Sequence, residues 1–337
     1  MKLEIPTYVD LLQATARLEG HALKTPVLQN QKLNAICGYN LFLKNETAQK
    51  TGTFKYRGAY SRLSAMTTDE RDRGVVAFSS GNHAQGVALA AKELGISATI
   101  VMPTTAPKKK KQGTLSHGAK IVEYDPLRKD REVIAHDISR TENRIVVPSY
   151  DDPYIVSGQG SCGLEFANQC ADMGVDLDAV ITPIGGGGLC AGLTLSFREL
   201  SPRTKIYGAE PYHYDDHVRS LKSGRREINK HHIPSLCDAL LSPSPGRITF
   251  AINKHSLDAV FPVLDDEALL TMAVMHENTG VVLEPGGATA LAAVLSSQLK
   301  AEKGANIGVI LSGGNVDPKV FALADQAKAE FLVGPAG

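Results

Sequence analysis

Between residues 74 and 148 the chain repeats one pattern: a short apolar run, a turn, a helical period. The runs are Val75-Val76-Ala77-Phe78, Ala98-Thr99-Ile100-Val101-Met102, Ile121-Val122-Glu123 and Arg144-Ile145-Val146-Val147. Runs this short and apolar suit strands buried on both faces, and neighbouring parallel strands need helical crossovers, so the pattern predicts a compact parallel α/β unit. Punctuation agrees: Gly95 can cap the helix that ends at Leu94, Pro103 ends the second strand, a helix follows Pro107, and Asp130 can cap the helix carrying Ile134 and Ile138. Ahead of this unit, Val9, Leu12 and Ala16 predict a short packing helix with Thr7 as its N-cap. Beyond it the pattern resumes with Asp178 to Pro183, a glycine turn, a helix from Leu189 to Leu200, and Lys205 to Ala209. Residues 211 to 247 are richer in Pro, His and charge and show no clear period. Helices after Asp265 and Glu284, the strand Ile307 to Leu311 and a helix near Val320 to Ala329 complete the chain. Two α/β units fit better than one, with the cleft between them as the default ligand site.

Composition narrows the ligand. Lysine plus arginine and aspartate plus glutamate both number 36, so no net field draws nucleic acid or an anionic membrane. The run Lys108 to Lys111 has no aromatic or arginine companions and reads as a solvated helix face. Cys37, Cys162, Cys170, Cys190 and Cys237 lack metal or redox spacing and fit a reducing compartment. With no apolar stretch of signal-peptide or membrane-spanning length, the expectation is a cytoplasmic enzyme with a small-molecule partner.

A polar stretch, Lys44 to Ala59, joins the strand-like Leu41-Phe42-Leu43 to a helical period carried by Tyr56, Ala59, Tyr60 and Leu63. Lys55 falls at the start of that helix, where the helix dipole disfavours a cation. It is either a surface lysine whose head reaches water or an amine with a lowered pKa and a use. Three loops downstream bear on the choice. Ser79-Ser80-Gly81-Asn82-His83-Ala84-Gln85-Gly86 follows a strand and opens a helix; its composition suits equally a carboxylate nest and a Ser-capped helix start. Gly185-Gly186-Gly187-Gly188 lies between strand and helix without the lysine of a P-loop or the spacing of a dinucleotide site, which suits a lone phosphomonoester. Ser312-Gly313-Gly314-Asn315 ends a strand and offers a neutral hydroxyl. A carboxylate nest, a phosphate cradle, a hydroxyl and a lysine are what pyridoxal phosphate with an amino acid needs, and Lys55 is a candidate Schiff-base lysine.

On these motifs the chain resembles the fold-type II pyridoxal-phosphate enzymes, the tryptophan synthase β-like fold, within the serine/threonine dehydratase and serine racemase group, from near residue 5 to near residue 325. The resemblance implies two three-layer α/β domains with the active site in their cleft. Residues 1–63 and 152–337 would form a large cofactor domain and 74–151 a small mobile one. It implies that Lys55 forms the imine with the cofactor and that Phe54 packs beside the ring. The phosphate falls to Gly185, Gly186, Gly187, Gly188 and Leu189, and the pyridine nitrogen to Ser312. Ser79, Ser80, Asn82 and His83 belong to the loop that holds the substrate carboxylate, with Asn82 near the cofactor's phenolic oxygen. Ser80 also resembles the serine that serine racemases place opposite the lysine, a second catalytic acid/base; the rival role is carboxylate binding alone.

Further positions follow from the same likeness. Glu210-Pro211-Tyr212-His213-Tyr214-Asp215-Asp216 matches the metal loop of some members, making Glu210, the Tyr214 carbonyl and Asp216 candidate ligands for Mg2+ or Ca2+; on spacing alone it is an acidic turn. The nearby His231 and His232 lack zinc spacing. Arg131, locally a helix surface residue, matches an arginine that meets the distal carboxylate in relatives acting on 3-hydroxyaspartate. Ala239 stands where many members have glycine, which adds a methyl near the cofactor. The expected reaction is α,β-elimination from a β-hydroxy amino acid of the L-threonine or L-serine type by a homodimeric dehydratase. The alternatives are a 3-hydroxyaspartate ammonia-lyase, a hydroxyectoine-utilisation dehydratase, or a serine racemase with dehydratase side activity. A cysteine-synthase-like β-replacement enzyme would need a second nucleophile and a different substrate loop, and a non-catalytic cofactor-binding protein would not need each catalytic position filled.

Overall fold

The computed structural model describes residues 3–79, 81–106, 108–230 and 233–333. Among the described residues ten strands form two sheets: β1 (Val27–Leu28), β2 (Asn40–Asn45), β3 (Val75–Phe78), β4 (Ala98–Pro103), β5 (Lys120–Tyr124), β6 (Ile145–Val146), β7 (Ala179–Pro183), β8 (Lys205–Pro211), β9 (Ala259–Val263) and β10 (Asn306–Leu311). The larger sheet runs β1-β2-β10-β7-β8-β9 and the smaller β5-β4-β3-β6. All pairings are parallel except the edge pair of β1 with β2.

Each sheet is the middle of three layers, because alternate residues along a strand point to opposite faces. On the larger sheet Leu41, Leu43, Ile181 and Val309 meet Met272 and Leu291 of the helices Asp265–Thr279 and Pro285–Leu295. Phe42, Val180 and Ile310 meet Phe166 and Phe197 of the helices Pro153–Asp172 and Gly188–Leu200 on the other face. On the smaller sheet Ala77, Ile100 and Met102 pack on Ala84, Val87 and Ala91 of the helix Asn82–Leu94. Val76 and Val101 pack on Ala135 of the helix Arg131–Glu142, which Asp130 caps by accepting from the Glu132 and Val133 amides. This is the expected α/β architecture.

Two expectations need correction. The first helix, Tyr8–Leu18, is capped by Thr7 as read, but it buries Leu11, Ala14 and Leu18 and leaves Val9 and Leu12 exposed. The packing stripe is set by its neighbours, the helices Lys55–Ser64 and Pro153–Asp172, and lies two residues on from the stripe read in sequence, on the opposite side of the helix. The run Lys108 to Lys111 is not uniformly solvated: Lys110 is buried and donates to Asp238 Oδ2 at 2.7 Å across the cleft between the sheets. The helix Pro153–Asp172, for which no period is evident in sequence, is the longest described. Among the described residues no helix is long and apolar enough to cross a membrane.

Candidate active site

Strand register decides which loops meet. β10 lies between β2 and β7, and all three run parallel, so their carboxyl ends open on one edge. Lys55 follows β2, the glycine loop follows β7, and Ser312 follows β10. The smaller sheet brings its own carboxyl edge, with Ser79 after β3, against that edge. The chain from β2 is tied down before it enters the helix Lys55–Ser64: Phe54 N donates to Ser312 O at 3.2 Å, and Thr53 bridges Gly313.

A cavity is lined by Phe54, Lys55, Gly185 to Gly188, Leu189, Glu284 and Ser312. A second adjoins it and is lined by Ser79, Asn82, His83, Lys110, Arg131 and Asp238. Lys55, Asn82, Ser149, Tyr150, Ala239 and Ser242 are common to both. Thus the residues expected at the cofactor gather in the first chamber, and Ser79, His83 and Arg131 in the second. Ser80, His231 and His232 lie outside the described residues.

Lys55 is the hinge of the two chambers. Its Nζ donates to the Ser149 carbonyl at 3.0 Å. Burial pushes its amine down to about 8, against a smaller opposing pull from Glu284. Glu284 is buried, and burial pushes its carboxyl up to about 7, with Lys110 pulling the other way. One oxygen accepts from Asn82 Nδ2, whose carbonyl accepts from Asn315 Nδ2 at 2.9 Å; the other is buried with no partner among the described residues. His83 is buried with Nε2 on the Val147 carbonyl at 3.1 Å, and burial and Lys55 hold its ring down at about 3, so it is neutral.

Both loops open helices on the cavity, and the Tyr150 ring lies against the glycine loop, close enough that a Cβ on Gly186 would clash with it. The helix Asn82–Leu94 starts at Gly81 with no side-chain cap among the described residues; Ser79 Oγ accepts from Gly81 N at 3.2 Å instead. The helix Gly188–Leu200 starts at Gly187, again without a side-chain cap, and Gly187 has φ +93°, a conformation that favours glycine. Free N–H groups at a helix start suit anions. A buried lysine beside a run of four glycines at a helix start suits pyridoxal phosphate, the lysine for the aldehyde and the glycine amides for the phosphate.

Arg131 opens its helix beside the second chamber, its guanidinium 5.8 Å from the centre of the Phe78 ring, and has no carboxylate partner among the described residues. It is half-buried, and is therefore not the solvated surface residue that local reading favours.

Glu210 and Asp216 lie away from these chambers, behind the glycine loop. Glu210 is buried and accepts from the His217 and Val218 amides at 3.1 and 2.9 Å. Burial and the Asp216 charge hold its carboxyl well above the usual range, and burial pushes Asp216 up to about 7. Asp216 Oδ1 accepts from Asn229 Nδ2 at 2.7 Å, whereas its Oδ2 is buried without a partner among the described residues. Tyr214 is buried in the same turn. Among the described residues no group of three or more His, Cys, Asp or Glu side chains is gathered as a metal site.

Sequence reasoning missed Ser149 and Tyr150, Glu284, Lys110, and three buried residues behind the glycine loop, His217, Thr249 and Asn253. Glu284 carried one local signal, its place just before the helix Pro285–Leu295, but nothing local marked it as buried.

Comparisons with known proteins point to one family. The family model for pyridoxal-phosphate dependent enzymes matches residues 18–313. The L-threo-3-hydroxyaspartate ammonia-lyase of Saccharomyces cerevisiae is 38% identical over 97% of this chain and 98% of its own length. The serine racemase of Schizosaccharomyces pombe is 37% identical over 95% of this chain and 97% of its own. Among solved structures, the T.th. threonine deaminase superposes with a TM-score of 0.88 at 38% identity, covering 93% of this chain and 99% of that one. Maize serine racemase gives a TM-score of 0.89 at 32% identity, covering 98% and 100%.

Proposed function

The chain belongs to the pyridoxal-phosphate-dependent enzymes, and on that premise we propose that it is a carbon–nitrogen lyase converting a β-hydroxy amino acid to a 2-oxo acid and ammonia by α,β-elimination. The observation that carries the reading is the Lys55 amine, buried where a chamber suited to a phosphate and a chamber suited to a carboxylate join. Bound cofactor supplies an electron sink for the bond broken at the substrate's α-carbon. The chain's own residues supply the rest. The glycine loop and Leu189 would hold the phosphate, Phe54 would pack beside the ring, and Ser312 would meet the ring nitrogen with a hydroxyl that cannot hold a proton there as firmly as a carboxyl would. The N–H groups around Ser79, Asn82 and His83 take the substrate carboxylate. Freed from the cofactor, Lys55 Nζ accepts the α-proton, for which its lowered pKa suits it. The four-stranded unit, residues 74–151, acts as the mobile domain, and the Lys110–Asp238 pair spans its border with the rest. A panel of L-threonine, L-serine, D-serine and L-threo-3-hydroxyaspartate, read by 2-oxo acid release, tests the assignment; no release from any of them sinks it.

Within that class, Arg131 favours a dicarboxylic substrate. An unpaired guanidinium in the second chamber would leave a half-buried cation uncompensated over serine and would be matched by the distal carboxylate of 3-hydroxyaspartate. Arg131→Ala should cost 3-hydroxyaspartate about 10²-fold or more in kcat/KM, corresponding to about 3 kcal/mol, and leave serine nearly unchanged. An unchanged ratio between the two substrates removes Arg131 as the selector.

Glu210 and Asp216 fit a hard cation. Two buried carboxyls held above their usual range and an orphaned Oδ2 are the environment a divalent ion relieves, with the Tyr214 carbonyl as the expected third oxygen. Addition of Mg2+ or Ca2+ should raise the thermal midpoint of the protein, and Asp216→Asn should abolish that shift; equal shifts in both proteins argue against the site. Exposed Ile5, Val9 and Leu12 support a contact with a second copy, and five unpaired cysteines support a cytoplasmic setting.

A further inference from the structure

Behind the glycine loop, on the side away from the cavity, three buried side chains address three successive carbonyls. His217 Nε2 lies 2.8 Å from the Gly185 oxygen, Thr249 Oγ1 donates to the Gly186 oxygen at 2.6 Å, and Asn253 Nδ2 donates to the Gly187 oxygen at 3.4 Å. All three residues are fully buried. They come from two helices, Asp216–Ser223 and Arg247–Asn253, that lie outside the strand–loop–helix unit carrying the loop. A methyl on Gly187 would sit 3.0 to 3.1 Å from all three, so they converge on one point.

We infer that His217, Thr249 and Asn253 are positioning residues that set the phosphate-binding conformation of the glycine loop. A peptide unit is planar and trans, so fixing one carbonyl fixes the next N–H in the opposite direction. Holding the oxygens of Gly185, Gly186 and Gly187 outward therefore turns the N–H groups of Gly186, Gly187 and Gly188 the other way, toward the cavity. Backbone bonds already hold two of these oxygens, Gly186 O accepting from Gly246 N at 3.1 Å and Gly187 O from Ala191 N at 2.8 Å, and the three side chains add restraint to a run of four glycines whose backbone freedom is the widest of any tetrapeptide. The collar holds the amides in place before the phosphate arrives, which lowers the ordering cost of binding. It also joins the loop to the Glu210 turn, because Glu210 accepts from the backbone N–H of His217.

The inference rests on the reading that Gly185 to Gly188 receives the cofactor's phosphate, and the test separates the two. Apoprotein is titrated with pyridoxal 5'-phosphate, with pyridoxal, and with inorganic phosphate as competitor. Thr249→Val, which keeps the shape and removes the donor, should weaken pyridoxal 5'-phosphate and phosphate by about tenfold each and leave pyridoxal unchanged, with Thr249→Ser within about twofold of the parent. Wild-type affinity for pyridoxal 5'-phosphate in Thr249→Val overturns the inference, as does an equal loss for pyridoxal. If the parent protein binds both aldehydes equally and phosphate does not compete, the phosphate assignment itself falls and the collar with it. Should Thr249→Val fail to fold, as judged by the apoprotein's thermal midpoint, Asn253→Ala carries the same measurement with an expected loss of about threefold.

Discussion

Lys55→Ala is expected to lose the visible absorption of protein-bound cofactor and to release 2-oxo acid at least about 10³-fold more slowly than the parent. Among the described residues, this amine is the group at the junction of the two chambers placed to serve both as covalent anchor and as base. Its burial sets the pH at which it does so. An amine held down at about 8 is about one-tenth neutral at pH 7, whereas an ordinary lysine would be neutral in about one molecule in three thousand. Only the neutral amine attacks an aldehyde, so apoprotein should take up cofactor faster as pH rises and level off above about 8. A rate that keeps climbing to pH 10 would mean that Lys55 is not depressed, and turnover retained in Lys55→Ala would remove the lysine from the mechanism.

What could be read from sequence divides along a physical line. Lys55, the glycine loop, Ser312 and the loop after β3 were legible because each is a local break in pattern at a strand end, and parallel strands put their carboxyl ends together. Lys110 was misread because a run of lysines gives no hint of a partner 128 positions away; its burial appears only when Asp238 is brought across the cleft. Glu284 and the collar residues His217, Thr249 and Asn253 carry no local mark either, since a buried polar side chain looks in sequence like an exposed one. The helix Pro153–Asp172 was hidden for a different reason. Its Gly158, Gly160 and Gly163 weaken the helical signal, yet a methyl on Gly192 of the facing helix would lie 2.5 Å from Gly160 N. Gly160 and Gly163 serve the close approach of that helix and Gly158 the approach of the helix Lys55–Ser64, a requirement that intrinsic propensity cannot express.

Arg57→Ala should destabilise the protein by about 3–5 kcal/mol, the range for breaking a buried ion pair from one side. Arg57 stands two residues beyond Lys55 on the same helix. Its guanidinium holds Glu46 through Nε and Nη2, each at 2.8 Å, and reaches both oxygens of Glu165 at 3.2 Å. Lys44 completes a balanced set of two cations and two anions by bonding Glu165 and donating to Gln169 Oε1 at 2.7 Å. Burial alone would raise the Glu46 carboxyl; the Arg57 charge and hydrogen bonds outweigh it and hold Glu46 below its ordinary value of 4.5. A lowered carboxyl contributes stability that is present above about pH 4.5 and lost as pH falls through the folded-state value. Without Arg57 the sign reverses, because a buried carboxylate with no guanidinium resists ionisation, so the deficit should grow between about pH 4 and pH 7. Urea midpoints at those two pH values measure it, and a deficit that stays constant or shrinks would mean that Glu46 is compensated elsewhere. Glu46→Gln added to Arg57→Met should recover part of the loss, since no uncompensated charge is then left inside. Below its unfolding transition Arg57→Ala should keep the cofactor absorption that Lys55→Ala loses, while Lys55→Ala should keep the stability that Arg57→Ala loses. One turn of helix would then hold the chemistry and its anchorage as separable functions, and absorption lost in both variants would show instead that the anchor sets the position of the amine.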